Sequence, residues 1–144
     1  MQRVVRDIII NKQPHQIYFF ISNPENLPFW SEFAMVEKVS GDGGIGSTYN
    51  IITSSLLGKK KTPIEITRKI AHEHFAFKNN STSYANETGF KLEEIDGTTK
   101  ITAYQEVGIG SLVSLITLNF ISLRDTANIL SKMLEKLKIT LETS

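Results

Sequence analysis

His72-Glu73-His74 is where residue type and spacing first suggest chemistry. Two imidazoles at i and i+2 of a strand project from one face, a spacing that suits a divalent metal. A metal centre needs further ligands. The chain has no cysteine and three histidines, and the third, His15, falls at the head of a predicted helix. No carboxylate follows in a matching pattern, so no metal and no cofactor are expected, and the triplet reads as an exposed strand junction. The lack of cysteine also removes a disulfide framework and a thiol nucleophile. No Gly-x-Ser-x-Gly elbow is present, which sets aside a hydrolase of that type. Lys59-Lys60-Lys61 has the charge to touch phosphate, but nothing around it forms a phosphate-binding loop, and it reads as a solvated loop. Asn79, Asn80 and Asn86 each open an Asn-x-Ser/Thr triplet. With no export signal at the start of the chain, these are read as turn and strand chemistry.

The more informative residues lie on strand alternation. Across residues 82–95, Tyr84, Asn86, Thr88, Phe90 and Leu92 share one face, and across 99–107 Thr99, Ile101, Ala103, Gln105 and Val107 share another. Both faces must turn toward the core, because they carry the apolar residues. Asn86, Thr88 and Gln105 then aim polar groups into an apolar interior. Each unpaired one costs ~1–3 kcal/mol, so each needs a protein partner, a water or a ligand. Cross-strand hydrogen bonding or exposure at the rim is the plain reading. A neutral floor for a ligand carbonyl or hydroxyl is the functional one. Arg68, in register with Ile66 and Ile70, is either a buried anchor for a carboxylate or a strand end reaching solvent. Trp30, Phe33, Tyr49, Phe77, Tyr84, Phe90 and Phe120, with Ile116, are the candidate pocket walls, unless the aromatics simply plug the space. Acid–base catalysis would need a titratable group with reach into that pocket. Of the inward candidates only Tyr49 and Tyr84 titrate, so binding is expected rather than chemistry.

These residues need elements to hold them. Residues 4–10 are rich in β-branched types and predict a strand. Pro14 suits the first position of a short helix carrying Ile17, Phe20 and Ile21 on one face. Asn23-Pro24 ends it, and residues 24–33 predict a second short helix. The period then changes to two. Strands are predicted over 35–40, 46–54, 63–71, 74–78, 82–95 and 99–107, with turns at Gly41-Asp42-Gly43-Gly44, at a loop of residues 57–61, at Asn79-Asn80-Ser81 and at Asp96-Gly97. After Gly108 and Gly110 the period becomes helical. Ile116, Phe120, Leu123, Ala127, Leu130, Leu134, Leu137 and Leu141 form one stripe along residues 111–142, a helix ~45–50 Å long. Strands joined by tight turns are antiparallel, and one face of such a sheet needs an apolar cover. The long helix is the available cover. Residues 112–123 are apolar nearly all round. Leu115, Leu118 and Ile121 therefore ask for a second cover, from the loops near Phe29 and Trp30, from an entering lipid, or from a second subunit in a homodimer.

The 144 residues carry 40% apolar and 22% charged residues and a net charge of +1. That supports a real core in one domain spanning 1–144 and gives no basic footprint for nucleic acid. No apolar run reaches the ~20 residues of a membrane span. A cytoplasmic location is expected.

Three patterns carry a family resemblance. Pro14, Ile17, Phe20 and Ile21 followed by Asn23-Pro24 and Pro28-Phe29-Trp30 is similar to a first helix and a D-P-x-x-x-P-x-W segment, with Asn for the usual Asp. Gly43-Gly44-Ile45-Gly46 with Tyr49 is similar to a glycine turn into a third strand, and Asp96-Gly97-Thr98-Thr99 to the lead into a last strand. In this order the chain resembles the START-like, helix-grip superfamily, in particular its bacterial polyketide-cyclase/dehydrase and lipid-transport (SRPBCC) branch. The resemblance implies an α+β fold with a seven-stranded curved antiparallel sheet around a long C-terminal helix, and two short helices after the first strand. It also implies a cavity for a small hydrophobic, lipid- or polyketide-like molecule. Two alternatives stay open: a cyclase/dehydratase-like enzyme, or a dimeric interaction module with a vestigial pocket.

Overall fold

The computed structural model describes residues 2–33, 35–80, 87–107 and 123–144. The chain opens with β1 (Gln2–Ile10), α1 (Pro14–Ile21), a 3-10 turn (Pro24–Asn26) and the one-turn helix α2 (Leu27–Trp30). Six strands follow: β2 (Met35–Ser40), β3 (Thr48–Ser55), β4 (Gly58–Ile70), β5 (His74–Asn79), β6 (Glu87–Ile95) and β7 (Thr98–Val107). The last element is α3 (Leu123–Glu142). All seven strands form one antiparallel sheet in the order β1-β7-β6-β5-β4-β3-β2. This is the predicted helix-grip architecture. No helix among the described residues is long and apolar enough to cross a membrane.

Local chemistry explains the joints. Pro14 occupies the first position of α1, where a missing N–H costs nothing. The Gln16 carboxamide accepts from the Gln13 N–H at 3.0 Å. Asn23 caps the following 3-10 turn by accepting from the Glu25 N–H. Asp96 (φ 48°) and Gly97 (φ 82°) make a two-residue hairpin between Ile95 and Thr98. Positive φ at both central positions matches the twist of the strands, which is why an Asp-Gly pair sits there.

Three sequence expectations change. The predicted loop at 57–61 is strand: Ser55 faces Gly58, so only Leu56 and Leu57 form the turn, and Lys59, Lys60 and Lys61 pair with β3. The predicted face shared by Ile66, Arg68 and Ile70 is broken by a register shift between Ile66 and Arg68. One extra residue turns the strand over, so Ile66 stays in the core while Arg68 and Ile70 are exposed. His72 is not on a strand face with His74. It lies in the β4–β5 turn at φ 66°, and among the described residues no three metal-ligating side chains come together.

The core lies between the concave sheet face and α3. Ala127, Leu130, Leu134, Leu137 and Leu141 are all buried, as the helical stripe requires. They meet Ile51, Ile64, Ile66, Phe75, Phe90 and Ile101 from the sheet. Four polar contacts fix the helix lengthwise. Lys138 Nζ donates to the Ile9 carbonyl (2.6 Å) and Glu142 accepts from the Asn11 N–H (2.8 Å). Lys136 Nζ donates to the Ser31 carbonyl (3.0 Å) and Thr140 Oγ1 to the Phe29 carbonyl (3.4 Å). The predicted first turns of the helix, residues 111–122, lie outside the described residues, and with them the apolar segment that motivated a homodimer.

Candidate functional site

Cross-strand register gathers the inward polar residues. Thr88 on β6 faces Gln105 on β7 and Phe77 on β5. With Ile51, Thr62 and Ile64 from the next strands, and Leu130 and Met133 from α3, they surround a chamber of about 140 Å³. Neither the Thr88 hydroxyl nor the Gln105 amide has a side-chain hydrogen bond to a described residue, in contrast to the outer-face polar groups below. No titratable side chain is among the described residues of this wall. The volume is several times the ~30 Å³ share of one water.

A neighbouring space of about 360 Å³ lies beside the chamber and shares Phe33, Ile129 and Met133 with it. The outer walls are Ser31 and Glu32, Thr53 and Ser54 at the end of β3, and Lys132 and Lys136 on α3. The Lys136–Ser31 hydrogen bond spans this mouth. The two spaces adjoin at Phe33, Ile129 and Met133, with the Thr88–Gln105 pair on the inner one.

Of the candidate residues, Phe33, Phe77, Thr88 and Gln105 line these spaces. Phe90 and Trp30 are buried in the core, their rings at 67° with centroids 5.1 Å apart, and neither lines either space. The Trp30 indole N–H is fully buried with no acceptor among the described residues. Tyr49 lies on the concave face, but its hydroxyl end approaches Gly43 in the β2–β3 turn, away from both spaces. Tyr84, Asn86, Ile116 and Phe120 lie outside the described residues. Ile129, Met133, Ile51, Thr62 and Asn79 are also wall residues, although the sequence places Asn79 in a turn, Thr62 between a loop and a strand, and Ile129 and Met133 off the helical stripe. The i, i+4 spacing of Ile129 and Met133 was the available signal.

The convex face carries the titratable cluster of the described sheet. Tyr104 is 3% exposed although it points away from the core. Its ring lies over Gly89, and the Arg3 guanidinium sits 4.4 Å from the ring centroid. Its hydroxyl donates to Glu87 Oε2 (2.9 Å) and lies 2.7 Å from His74 Nε2. A carboxylate only accepts, so the hydroxyl proton is committed to Glu87 and His74 donates through Nε2–H. Thr67 and Arg68 complete the shell of Glu87 at 2.8 and 3.3 Å. Burial raises the Glu87 pKa, but the hydrogen bonds from Thr67 and Tyr104 and the Arg68 charge outweigh it and hold the carboxyl below its ordinary value. Burial, with Arg68 and Lys91 adding to it, pushes His74 down. Burial and the neighbouring Glu87 push Tyr104 up. Every polar atom of this cluster that faces another is paired, which is the signature of a structural network.

With that geometry in place, comparison with known proteins bears on the fold. A scan against family models gives no match, and neither does a search of the curated proteins. Solved structures match over nearly the whole chain. Protein MLL2253 from Mesorhizobium loti superposes with a TM-score of 0.73 at 15% identity, covering 99% of this chain and 98% of that one. Ara h 8.0201 gives 0.72 at 13% identity and 99% of both chains, and the KanY protein 0.72 at 14%, covering 98% and 97%. The Aha1 dimer from Colwellia psychrerythraea gives 0.61 at 18% identity, covering 96% of this chain and 98% of that one. These likenesses show a helix-grip fold, and at these identities they show the fold alone.

Proposed function

We propose that this chain, working as a single domain, binds or carries a small hydrophobic molecule bearing one polar group. The apolar body fills the chamber between the sheet and α3, and the polar group meets Gln105 and Thr88. The observation that carries this reading is the Thr88–Gln105 pair, without a side-chain partner among the described residues, in a mostly apolar chamber that adjoins a second space at Phe33. Apolar walls with a few placed polar groups are the usual composition of a small-molecule site. The absence of titratable groups among the described residues of the inner wall favours binding over cyclase- or dehydratase-type chemistry, which needs an acid or base within reach.

The test is a screen of fatty acids, fatty alcohols and aromatic polyketide-like compounds by native mass spectrometry. Hits are then titrated against the wild type and Gln105→Leu. Loss of one ligand hydrogen bond should weaken an alcohol or ketone up to about tenfold while leaving a hydrocarbon of the same shape unaffected or tighter. If no apolar compound binds, or if Gln105→Leu treats polar and hydrocarbon ligands alike, the reading fails.

A further inference from the structure

A cleft of about 890 Å³ separates α1 and the 3-10 turn from the β2–β3 turn, and it shares no wall residue with either chamber. Two tyrosines end in it. Tyr18 of α1 is 9% exposed and Tyr49 of β3 is 3% exposed, and neither phenol has a hydrogen-bond partner among the described residues. Neither hydroxyl is sealed from solvent, since the fully buried orphan among the described residues is the Trp30 nitrogen. Side chains this deeply buried normally spend their polar atoms on protein partners. Here two hydroxyls are held toward one opening instead.

The rings around them are ordered. His72, at φ 66° in the β4–β5 turn, adopts a left-handed backbone uncommon outside glycine. That conformation brings its imidazole edge-on to Tyr18, with centroids 5.8 Å apart, and to His15, at 6.2 Å. Phe19 stands at the rim, 83% exposed.

Charge decides the class of ligand. Lys38, Lys69 and Asp42 line the sheet side of the cleft and Glu25 the side of the 3-10 turn, two charges of each sign. Lys69 already donates to the Gly43 carbonyl (2.8 Å), and Asp42 already accepts from the Gly44 N–H (2.9 Å). An ion of either sign meets no net attraction. Beside these balanced charges stand phenols and imidazoles, which can both donate and accept, and an exposed aromatic face.

We propose that this cleft binds a neutral, hydroxyl-rich ring, the chemistry of a monosaccharide or a cyclitol, through the Tyr18 and Tyr49 hydroxyls and the His15–His72 pair. Phe19 covers the C–H face of the ring. The proposal is independent of the chamber reading, because the two sites have no residue in common.

The experiment is a titration of the ¹⁵N-labelled chain with myo-inositol, D-glucose and inorganic phosphate, followed by amide shifts. Saturable shifts with a polyol are expected around residues 15–19, 49 and 72. Tyr18→Phe and Tyr49→Phe each keep the ring and delete one hydroxyl, and each should weaken binding about 3- to 10-fold, the worth of one hydrogen bond. Gln105→Leu, in the chamber, should leave polyol binding unchanged. If Tyr49→Phe disturbs the β2–β3 turn, the Tyr18→Phe comparison decides. The proposal is overturned if neither polyol gives saturable shifts, if phosphate binds more tightly than both, or if the tyrosine variants bind as the wild type does.

Discussion

Gly89 shows what one residue holds in place. It needs no special backbone angle; it is needed for approach, because a Cβ there would collide with Cζ and Oη of Tyr104. Gly89→Ala should cost ~1–3 kcal/mol through overpacking, measured by urea denaturation. In a Tyr104→Leu background the same change should cost much less, because the colliding atoms are gone; additive losses would show that the ring does not rest on Gly89. The network beneath the ring also sets an acid response. His74 is depressed in the fold, so the unfolded chain takes up its proton first. Its contribution is complete above its ordinary value near 6.5 and is lost as pH falls through the depressed one. Glu87, also depressed, adds a loss of the same sign below its ordinary value near 4.5. Stability should therefore decline in two stages on acidification, and His74→Gln should remove the upper stage in urea midpoints measured between about pH 5 and 8. An unchanged slope in that variant would exclude His74 as its source. None of this cluster was legible in the sequence. Its members sit on the face opposite the apolar alternation, and only the register Ala76–Gly89–Tyr104 and the shift before Arg68 bring them together.

At the scale of elements, period proved the readable quantity. The stripe on α3 is buried from Ala127 to Leu141 because its 3- and 4-residue spacing keeps one face on the sheet. Leu134→Ala should lower stability by ~2–5 kcal/mol, while Lys132→Ala, at an exposed position, should stay within about 0.5 kcal/mol. Equal losses by chemical denaturation would mean that the docked face is misassigned. Leu130 differs from Leu134, since it also walls the inner chamber. Leu130→Ala should lose as much in the ligand-free protein but bind a bulkier ligand than the wild type, which the same ligand panel would reveal. Irregularities were not readable in this way. The Ile66–Arg68 shift and the Leu56-Leu57 turn both depend on which residues of the partner strand stand opposite, and that is a property of pairs.

For the molecule as a whole, tight turns gave away the antiparallel order, and the grip followed from having one apolar stripe to cover one sheet. The site was half legible. Thr88 and Gln105 were visible as polar residues on a core face, whereas the mouth at Phe33, Ile129 and Met133 depends on how far α3 stands from the sheet. The topology also bears on folding speed. Gln2 faces Val107, and Asn11 bonds Glu142, so closing the sheet joins residues far apart in the chain. Refolding after denaturant dilution should fall in the millisecond-to-second range expected of such non-local pairing, and a sub-millisecond phase carrying the full amplitude would contradict it. The strand order has one further consequence, for the chain during its synthesis. β2 can pair with β3 as soon as both have emerged, but β1 must wait for β7, the last strand made. At ~5–20 residues per second, that wait lasts roughly 5–20 s. Through it the nascent chain displays Val4, Val5 and Ile8-Ile9-Ile10 with no strand to receive them, and Arg3, Arg6 and Asp7 are the charges that deter a neighbouring nascent chain from taking the place reserved for β7.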